Sequence, residues 1–293
     1  MTHKLFYSPT YCSASYAFDT TRKAAWIAES LSEAPIGGVE LVEPQPVSPA
    51  TVCETHSEEY VRAIETGEPW SVASSQGLRW CRSMFPAVLA SNGGVVEAAK
   101  AALRDGVAGS LSSGLHHARR ESGLGFCTFN GLAIAANEAI KLGCEKVLIL
   151  DLDAHGGGGT ESLISRNVRI DHLDFAVDPF DLHERCLDMS SRPWSEYLAV
   201  LEMALSKFEK PDLCIYNAGM DAFEGDCGPA GYGGDFLAAR EAIVFGWAAS
   251  RGVPICYVMA GGYTSRERSR GQLVSHHRLT LDAAVFSQIG AIA

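Results

Sequence analysis

The distribution of apolar and polar residues predicts strands and helices in alternation along the chain. Apolar runs bounded by polar sequence are typical of strands that are buried on both faces of a parallel sheet. Strands are predicted at residues 4–7, 38–42, 107–111, 147–150, 168–173, 212–219 and 253–259. Helices are predicted between them, the longer ones at residues 20–31, 86–103, 131–142, 195–208, 234–251 and 276–289. This order predicts an α/β protein with a parallel sheet.

Polar, chemically active side chains follow the carboxyl ends of four predicted strands. They are His116 and His117, then Asp151, Asp153 and His155, then Asp221, and finally Tyr263. Side chains alternate across a strand, so Asp151, Asp153 and His155 are expected on one side. The carboxyl ends of parallel strands meet at one edge of the sheet, where ligands bind in open α/β proteins. We therefore expect these side chains to converge.

Three of these residues have the chemistry of a catalytic metal site. Two carboxylates and one imidazole (Asp153, Asp221 and His155) suit zinc, and a fourth position would stay open for water or substrate. The alternative is that a strand-end Asp and His only cap the following helix. The glycines at 156–159 do not predict a phosphate loop, because no Gly-Lys-Ser/Thr sequence follows them.

Composition narrows the functional class. The 293 residues contain no stretch of linker composition, so we predict one domain over residues 1–293. A net charge of -11 argues against nucleic-acid binding, which needs clustered basic residues. The nine cysteines are scattered without any Cys-x-x-Cys spacing, which favours a reducing compartment, and we expect a cytoplasmic protein. No apolar run is long enough to predict a membrane span.

Taken in order, five segments resemble the zinc-dependent histone deacetylase superfamily, which also includes acetylpolyamine amidohydrolases. They are residues 114–118, 125–130, 151–160, 217–222 and 261–263, with a weaker likeness at 55–61. The resemblance implies a three-layer α/β fold of the arginase/deacetylase kind, with a central, mostly parallel sheet. It also implies hydrolysis of an acyl group, such as acetyl, from an amine. The substrate would be an acetyl-lysine protein or an acetylated small molecule such as a polyamine.

The resemblance also implies a role for each matching residue. Asp153, His155 and Asp221 look like the metal ligands, with Zn²⁺ as the expected ion and Fe²⁺ as the alternative. His116 and His117 resemble the family's tandem histidines, the second of which is the general base. Asp151 resembles the carboxylate that binds the first histidine and adjoins a K⁺ site. Tyr263 matches the tyrosine that polarises the scissile carbonyl, while Gly125 and Phe126 match the wall of the acyl channel.

The sequence departs from the family pattern directly after His155. The family commonly continues with a second histidine, a glycine and then Asp or Asn, whereas this chain has Gly156, Gly157 and Gly158. The side chain at position 158 normally orients the second histidine of the pair. We therefore expect His117 to lack its usual partner. The loop at residues 16–19 also lacks the family's His-Pro signature.

Two other functions remain open at this level. A dinuclear manganese hydrolase of the arginase kind would need further carboxylates, and Gly157 and Phe223 stand where these would help. A catalytically weak protein that binds acylated ligands is also compatible with the glycine departure. Release of acetate from acetylated substrates would distinguish an enzyme from such a binding protein. The sequence does not predict the oligomeric state.

Overall fold

A computed structural model describes residues 2–14 and 19–290 of the protein. Residues 16–18, part of the loop without the His-Pro signature, lie outside this range. In the described part, eight parallel strands form one sheet. They are β1 (His3–Phe6), β2 (Val39–Val42), β3 (Val107–Ser110), β4 (Val147–Asp151), β5 (Ile170–Ala176), β6 (Leu187–Asp188), β7 (Leu213–Ala218) and β8 (Ile255–Met259).

Helices cover both faces of the sheet. They are α1 (Lys23–Glu33), α2 (Pro49–Cys53), α3 (Glu58–Thr66), α4 (Trp70–Ala73), α5 (Met84–Asp105), α6 (Gly131–Lys141), α7 (Gly158–Ile164), α8 (Trp194–Lys207), α9 (Gly234–Arg251) and α10 (Arg270–Gly290). None of the described helices is long and apolar enough to cross a lipid bilayer.

The strand order brings distant parts of the chain together. It runs β2-β1-β3-β8-β7-β4-β5-β6, so β4 lies between β7 and β5. The register aligns Asp151 of β4 with Asn217 of β7 on one side and with Asp174 of β5 on the other. Because all strands are parallel, their carboxyl ends lie at one edge, as predicted.

Alternation along β4 divides the core into two layers. Leu148 and Leu150 belong to one apolar cluster, which includes residues of α1, α8, α9 and α10. Val147 and Ile149 point the other way into a second cluster with residues of α3, α5, α6 and α7. These two helical layers enclose the sheet. The predicted three-layer α/β fold is confirmed.

Several element boundaries differ from the sequence prediction. The strand predicted at 168–173 lies at Ile170–Ala176, because Val168 is exposed and the longer strand carries Asp174 to the sheet edge. The two-residue strand β6 was not predicted. Helix α7 begins at Gly158, inside the glycine run, and the short helix α4 begins at Trp70; neither helix was predicted.

Candidate metal centre and catalytic site

Asp153, His155 and Asp221 meet at the carboxyl edge of β4 and β7. Nδ1 of His155 lies 3.0 Å from Oδ1 of Asp153 and 3.3 Å from Oδ2 of Asp221. Oδ2 of Asp153 accepts a 2.7 Å hydrogen bond from the backbone N–H of Gly261, which follows β8. The structure thus brings the three predicted ligands together from separate parts of the chain.

The geometry of this cluster fits a cation. The candidate ligand atoms of the three residues all lie within 4.8 Å of one another. Despite the approach of His155, Oδ2 of Asp221 is buried and has no hydrogen-bond partner among the described residues. An unpaired, buried carboxylate oxygen is costly, and a metal ion at this position would satisfy it. Two carboxylates and an imidazole suit a divalent transition metal.

His116 is fixed by the carboxylate that the sequence predicted. Its Nδ1 lies 2.8 Å from Oδ2 of Asp151, and its Nε2 lies 3.6 Å from Oδ1 of Asp153. Burial opposes the charged ring, but the carboxylates of Asp151 and Asp153 outweigh burial and raise the pKa of His116 to about 10. A cation bound to Asp153 would reduce this effect, because its charge opposes a second positive charge nearby.

His117 lacks its usual partner at position 158, but a carboxylate from another segment pairs with it. Nδ1 of His117 lies 2.9 Å from Oδ2 of Asp181, a residue of the connection between β5 and β6. Carboxylates only accept hydrogen bonds, so Nδ1 carries the proton. Burial and the neighbouring His116 lower the pKa of His117, although Asp181 opposes them. A neutral His117 held in this way has a lone pair free on Nε2.

Aromatic and glycine residues enclose the histidines. The Phe180 ring stands nearly perpendicular to His117, with 5.0 Å between centroids, and to His155, with 5.9 Å. Gly125, a predicted wall residue, packs against the His117 ring. A Cβ at this position would lie 2.5 Å from Cδ2 of His117, so only glycine fits this closely. Phe126 lines an adjoining cavity of about 70 Å³ that also contacts Leu115. Phe180 was not among the wall residues predicted from the sequence, which were Gly125 and Phe126.

Tyr263 lies next to the candidate ligands and is held through its backbone. Its N–H donates a 2.9 Å hydrogen bond to Oδ2 of Asp226, to which Arg268 also donates. Desolvation raises the pKa of Tyr263 well above 10, and the charges of Asp221 and Asp153 add to this. The hydroxyl therefore stays protonated and can act as a donor.

A buried lysine near Tyr263 was not predicted from the sequence. The ammonium of Lys23 lies 5.7 Å from the centroid of the Tyr263 ring and donates to the carbonyl oxygen of Ala260. Burial lowers the pKa of Lys23 to about 8, although Asp221 and Asp153 oppose this shift. Helix α1 thus places a positive charge near the carboxylates of Asp153 and Asp221.

A second group of potential metal ligands includes Asp151. Asp151, His172 and Asp174 present ligand atoms within 4.8 Å of one another. Nε2 of His172 and Oδ1 of Asp174 are buried and have no hydrogen-bond partner among the described residues. Nδ1 of His172 faces Glu161 at 3.3 Å, the arrangement in which a carboxylate supports a metal-binding histidine. An imidazole ligand suits a divalent ion better than the K⁺ that the resemblance implies.

Comparison with known proteins identifies the family. A protein-family model described as the histone deacetylase domain matches residues 17–184. The chain belongs to the histone deacetylase family. The matched range includes His116, His117, Asp153 and His155, whereas Asp221 and Tyr263 lie beyond it.

Relatives of this histone deacetylase family member occur in plants, cyanobacteria and archaea. Histone deacetylase 2 of Arabidopsis thaliana is 32% identical over 244 residues, which are 76% of this chain and 63% of that protein. An uncharacterized protein of Picosynechococcus is 31% identical over 84% of this chain and 85% of its own length. A probable deacetylase of Methanothermobacter thermautotrophicus is 30% identical over 64% of this chain and 63% of its length. The chain thus spans less than two thirds of the Arabidopsis and Methanothermobacter proteins.

The fold has a counterpart among solved structures. The crystal structure of the HDA15 HD domain superposes with a TM-score of 0.73 and 18% identity, covering 99% of this chain and 90% of that one. At this identity the likeness supports the fold alone. It extends over the part of the chain that carries Asp221 and Tyr263, beyond the range of the family model.

Proposed function

We propose that this protein is a metal-dependent deacetylase, which hydrolyses the amide bond between an acetyl or other small acyl group and a primary amine. The decisive observation is a buried, paired histidine beside a cluster of metal ligands: His117, held by Asp181, lies next to His155. The names of the relatives support the reaction, since they include a histone deacetylase and a probable deacetylase.

Asp153, His155 and Asp221 would hold the metal, and we propose Zn²⁺ with Fe²⁺ as the alternative. Held by these residues, a divalent ion would supply Lewis-acid activation of the amide carbonyl and of water. Oδ2 of Asp221 supports this assignment, because it is buried and accepts no hydrogen bond from the described residues.

The surrounding residues supply the proton transfers. Nε2 of His117 accepts a proton from the attacking water, because its Nδ1–H is donated to Asp181. The Tyr263 hydroxyl donates a hydrogen bond to the carbonyl oxygen as negative charge develops there. Asp151 holds Nδ1 of His116 and directs its Nε2 towards Asp153. Hydrolysis ends when the C–N bond breaks and the leaving amine takes the proton from a histidine.

The two rival functions receive less support from the geometry. The missing partner of His117 was the reason to consider a catalytically weak binding protein, and Asp181 removes that reason. A dinuclear hydrolase needs ligands that bridge two ions. In the described residues no ligand is shared between the group at Asp153 and the group at Asp151.

The substrate and the location are also proposals. An acetyl-lysine protein and an acetylated polyamine both present the required amide. The net charge of -11 favours a cationic substrate over a nucleic acid. We propose a cytoplasmic location, because nine scattered cysteines favour a reducing compartment.

One experiment tests the reaction and the metal together. Acetate release is measured on a panel of acetyl-lysine peptides and acetylpolyamines, and the zinc, iron, manganese and potassium contents are measured on the same sample. We expect turnover in proportion to the zinc or iron bound per chain. A fully metal-loaded protein that binds a hydroxamate but releases no acetate from any substrate contradicts the proposal.

A further inference from the structure

Position 158 and the loop after β5 compete for one volume next to His117. In the family pattern that the motifs follow, an Asp or Asn at position 158 would project towards the second histidine. This chain has glycine there, and a Cβ built on Gly158 would lie 2.6 Å from Oδ1 and 2.9 Å from Cγ of Asp181. The Asp181 carboxylate therefore occupies the volume that a side chain at position 158 would enter.

The Asp181 carboxylate is held on several sides. Its side chain is 4% exposed, and Oδ2 lies 2.9 Å from Nδ1 of His117 and accepts a weaker, 3.3 Å bond from Gly159 N–H. Oδ1 forms an ion pair with Arg119, whose other terminal nitrogen donates to the Gly158 carbonyl at 3.0 Å. Arg119 thereby balances the buried charge and ties the loop to the start of α7.

The backbone at Asp181 adopts an unusual conformation that the neighbouring residues hold in place. Asp181 has a φ of 54°, in the left-handed region that non-glycine residues rarely adopt. Such a conformation costs on the order of 1 kcal/mol and persists only where the surroundings enforce it. Here the Asp181 carbonyl accepts from Gly158 N–H at 3.2 Å, and the Phe180 carbonyl accepts from Gly156 N–H at 2.9 Å. The glycine run thus forms the surface on which the loop docks.

We propose that Asp181 is the positioning residue of the general base, and that it replaces the side chain missing at position 158. The inference rests on the proposed deacetylase function, which it deepens. Asp181 fixes the tautomer of His117 with the proton on Nδ1, which leaves the Nε2 lone pair available to accept a proton. When water attacks, its proton moves to Nε2 and the resulting imidazolium is paired with Asp181. The proton then leaves with the amine as the C–N bond breaks.

The first test removes the carboxylate. Asp181→Ala and Asp181→Asn are compared with Glu184→Gln, which changes an exposed carboxylate of the same loop. We expect kcat for acetate release to fall by about 10- to 100-fold in Asp181→Ala and by less in Asp181→Asn, whose amide oxygen can still accept from Nδ1–H of His117. KM and the metal bound per chain should stay near the wild-type values, and Glu184→Gln should behave as the wild type. Unchanged kcat in Asp181→Ala overturns the proposal.

The second test moves the carboxylate to the other position. Gly158→Asp alone should lower kcat, because two carboxylates then contest one volume. Combined with Asp181→Ala, it should recover part of the lost kcat, because the new Cβ must still displace the Asp181 carbonyl oxygen, which would lie 2.7 Å away. A double variant that folds, binds metal and carries the His117 proton on Nδ1, but remains as slow as Asp181→Ala, assigns Asp181 a merely structural role.

A measurement without substrate separates this inference from the proposed function. Nitrogen NMR of the zinc-loaded protein reports which ring nitrogen of His117 carries the proton, with His117→Gln to assign the signal. We expect the Nδ1–H form in the wild type and its loss in Asp181→Ala. If no substrate turns over, the deacetylase proposal fails while this spectrum still decides the role of Asp181. An Nε2–H form in the wild type overturns that role.

Discussion

The buried His56 should make the stability of the protein sensitive to acid. Its Nδ1 lies 2.7 Å from the carbonyl oxygen of Arg119, and its Nε2 accepts a 3.0 Å hydrogen bond from the N–H of Asn130. A carbonyl only accepts and an N–H only donates, so the ring is held in one neutral tautomer. Protonation of Nε2 would break the bond to Asn130.

The size of this loss of stability follows from the change in the pKa of His56 on folding. Burial lowers the pKa of His56 from 6.5 to about 4. At about 1.4 kcal/mol per pKa unit, this difference is worth about 3 kcal/mol. The unfolded chain binds a proton below pH 6.5, whereas the folded chain does so only near pH 4. The contribution of neutral His56 to the free energy of unfolding is therefore fully present above pH 6.5. It is lost as the pH falls from 6.5 to about 4.

Urea unfolding at pH 7.5 and pH 4.5 tests this prediction in the wild type and in His56→Gln. Glutamine can donate to Arg119 and accept from Asn130 without titrating. Other groups titrate equally in both proteins, so the difference between their losses isolates His56. We expect the wild type to lose about 2 to 3 kcal/mol more than the variant on acidification. Equal losses in the two proteins would refute the reasoning.

Three further substitutions test the metal centre. Tyr263→Phe should retain the metal while kcat falls about 100- to 1,000-fold, and wild-type kcat would remove the hydroxyl from the mechanism. Asp221→Ala should lose the metal, as measured by elemental analysis; full retention would contradict its assignment as a ligand. In Gly261→Ala, the new Cβ would overlap Oδ2 of Asp221 and lie 2.5 Å from Oδ2 of Asp153, so metal content should fall. Gly246→Ala is the matched control, because a Cβ there meets nothing within 4 Å.

Much of the site could be predicted from the chain because strand ends share one sheet edge. The alternation of side chains after the apolar run at 147–150 predicted that Asp153 and His155 lie on one side. The shared edge of the parallel strands predicted that Asp221, which follows the next buried strand, lies near them. The family's motifs then assigned roles to these residues. The likeness at 55–61 also has a physical basis, since it contains His56, which supports Asn130.

Asp181 could not be found in this way, because it lies in an irregular connection without periodicity. The sequence showed the gap at Gly158 but not which loop returns to fill it. One signal was available: consecutive strands of a parallel sheet are usually neighbours, so acidic residues that follow the strand predicted at 168–173 are candidates for the same edge. Lys23 escaped prediction for another reason. Its helix was expected, but helical periodicity does not tell that a lysine is buried beneath the site.

The strand order also has a consequence for biosynthesis. The first six strands leave the ribosome as two groups, β2-β1-β3 and β4-β5-β6, and the middle of the sheet stays open until β7 and β8 are made. Until then β3 and β4 each expose an unpaired edge, which is a site for aggregation. A nascent chain that ends at Lys207 has both histidines of the pair but lacks Asp221. The proposed metal could therefore bind through all three ligands only after β7 and Asp221 have been made, which would place metal uptake late in the folding of the sheet.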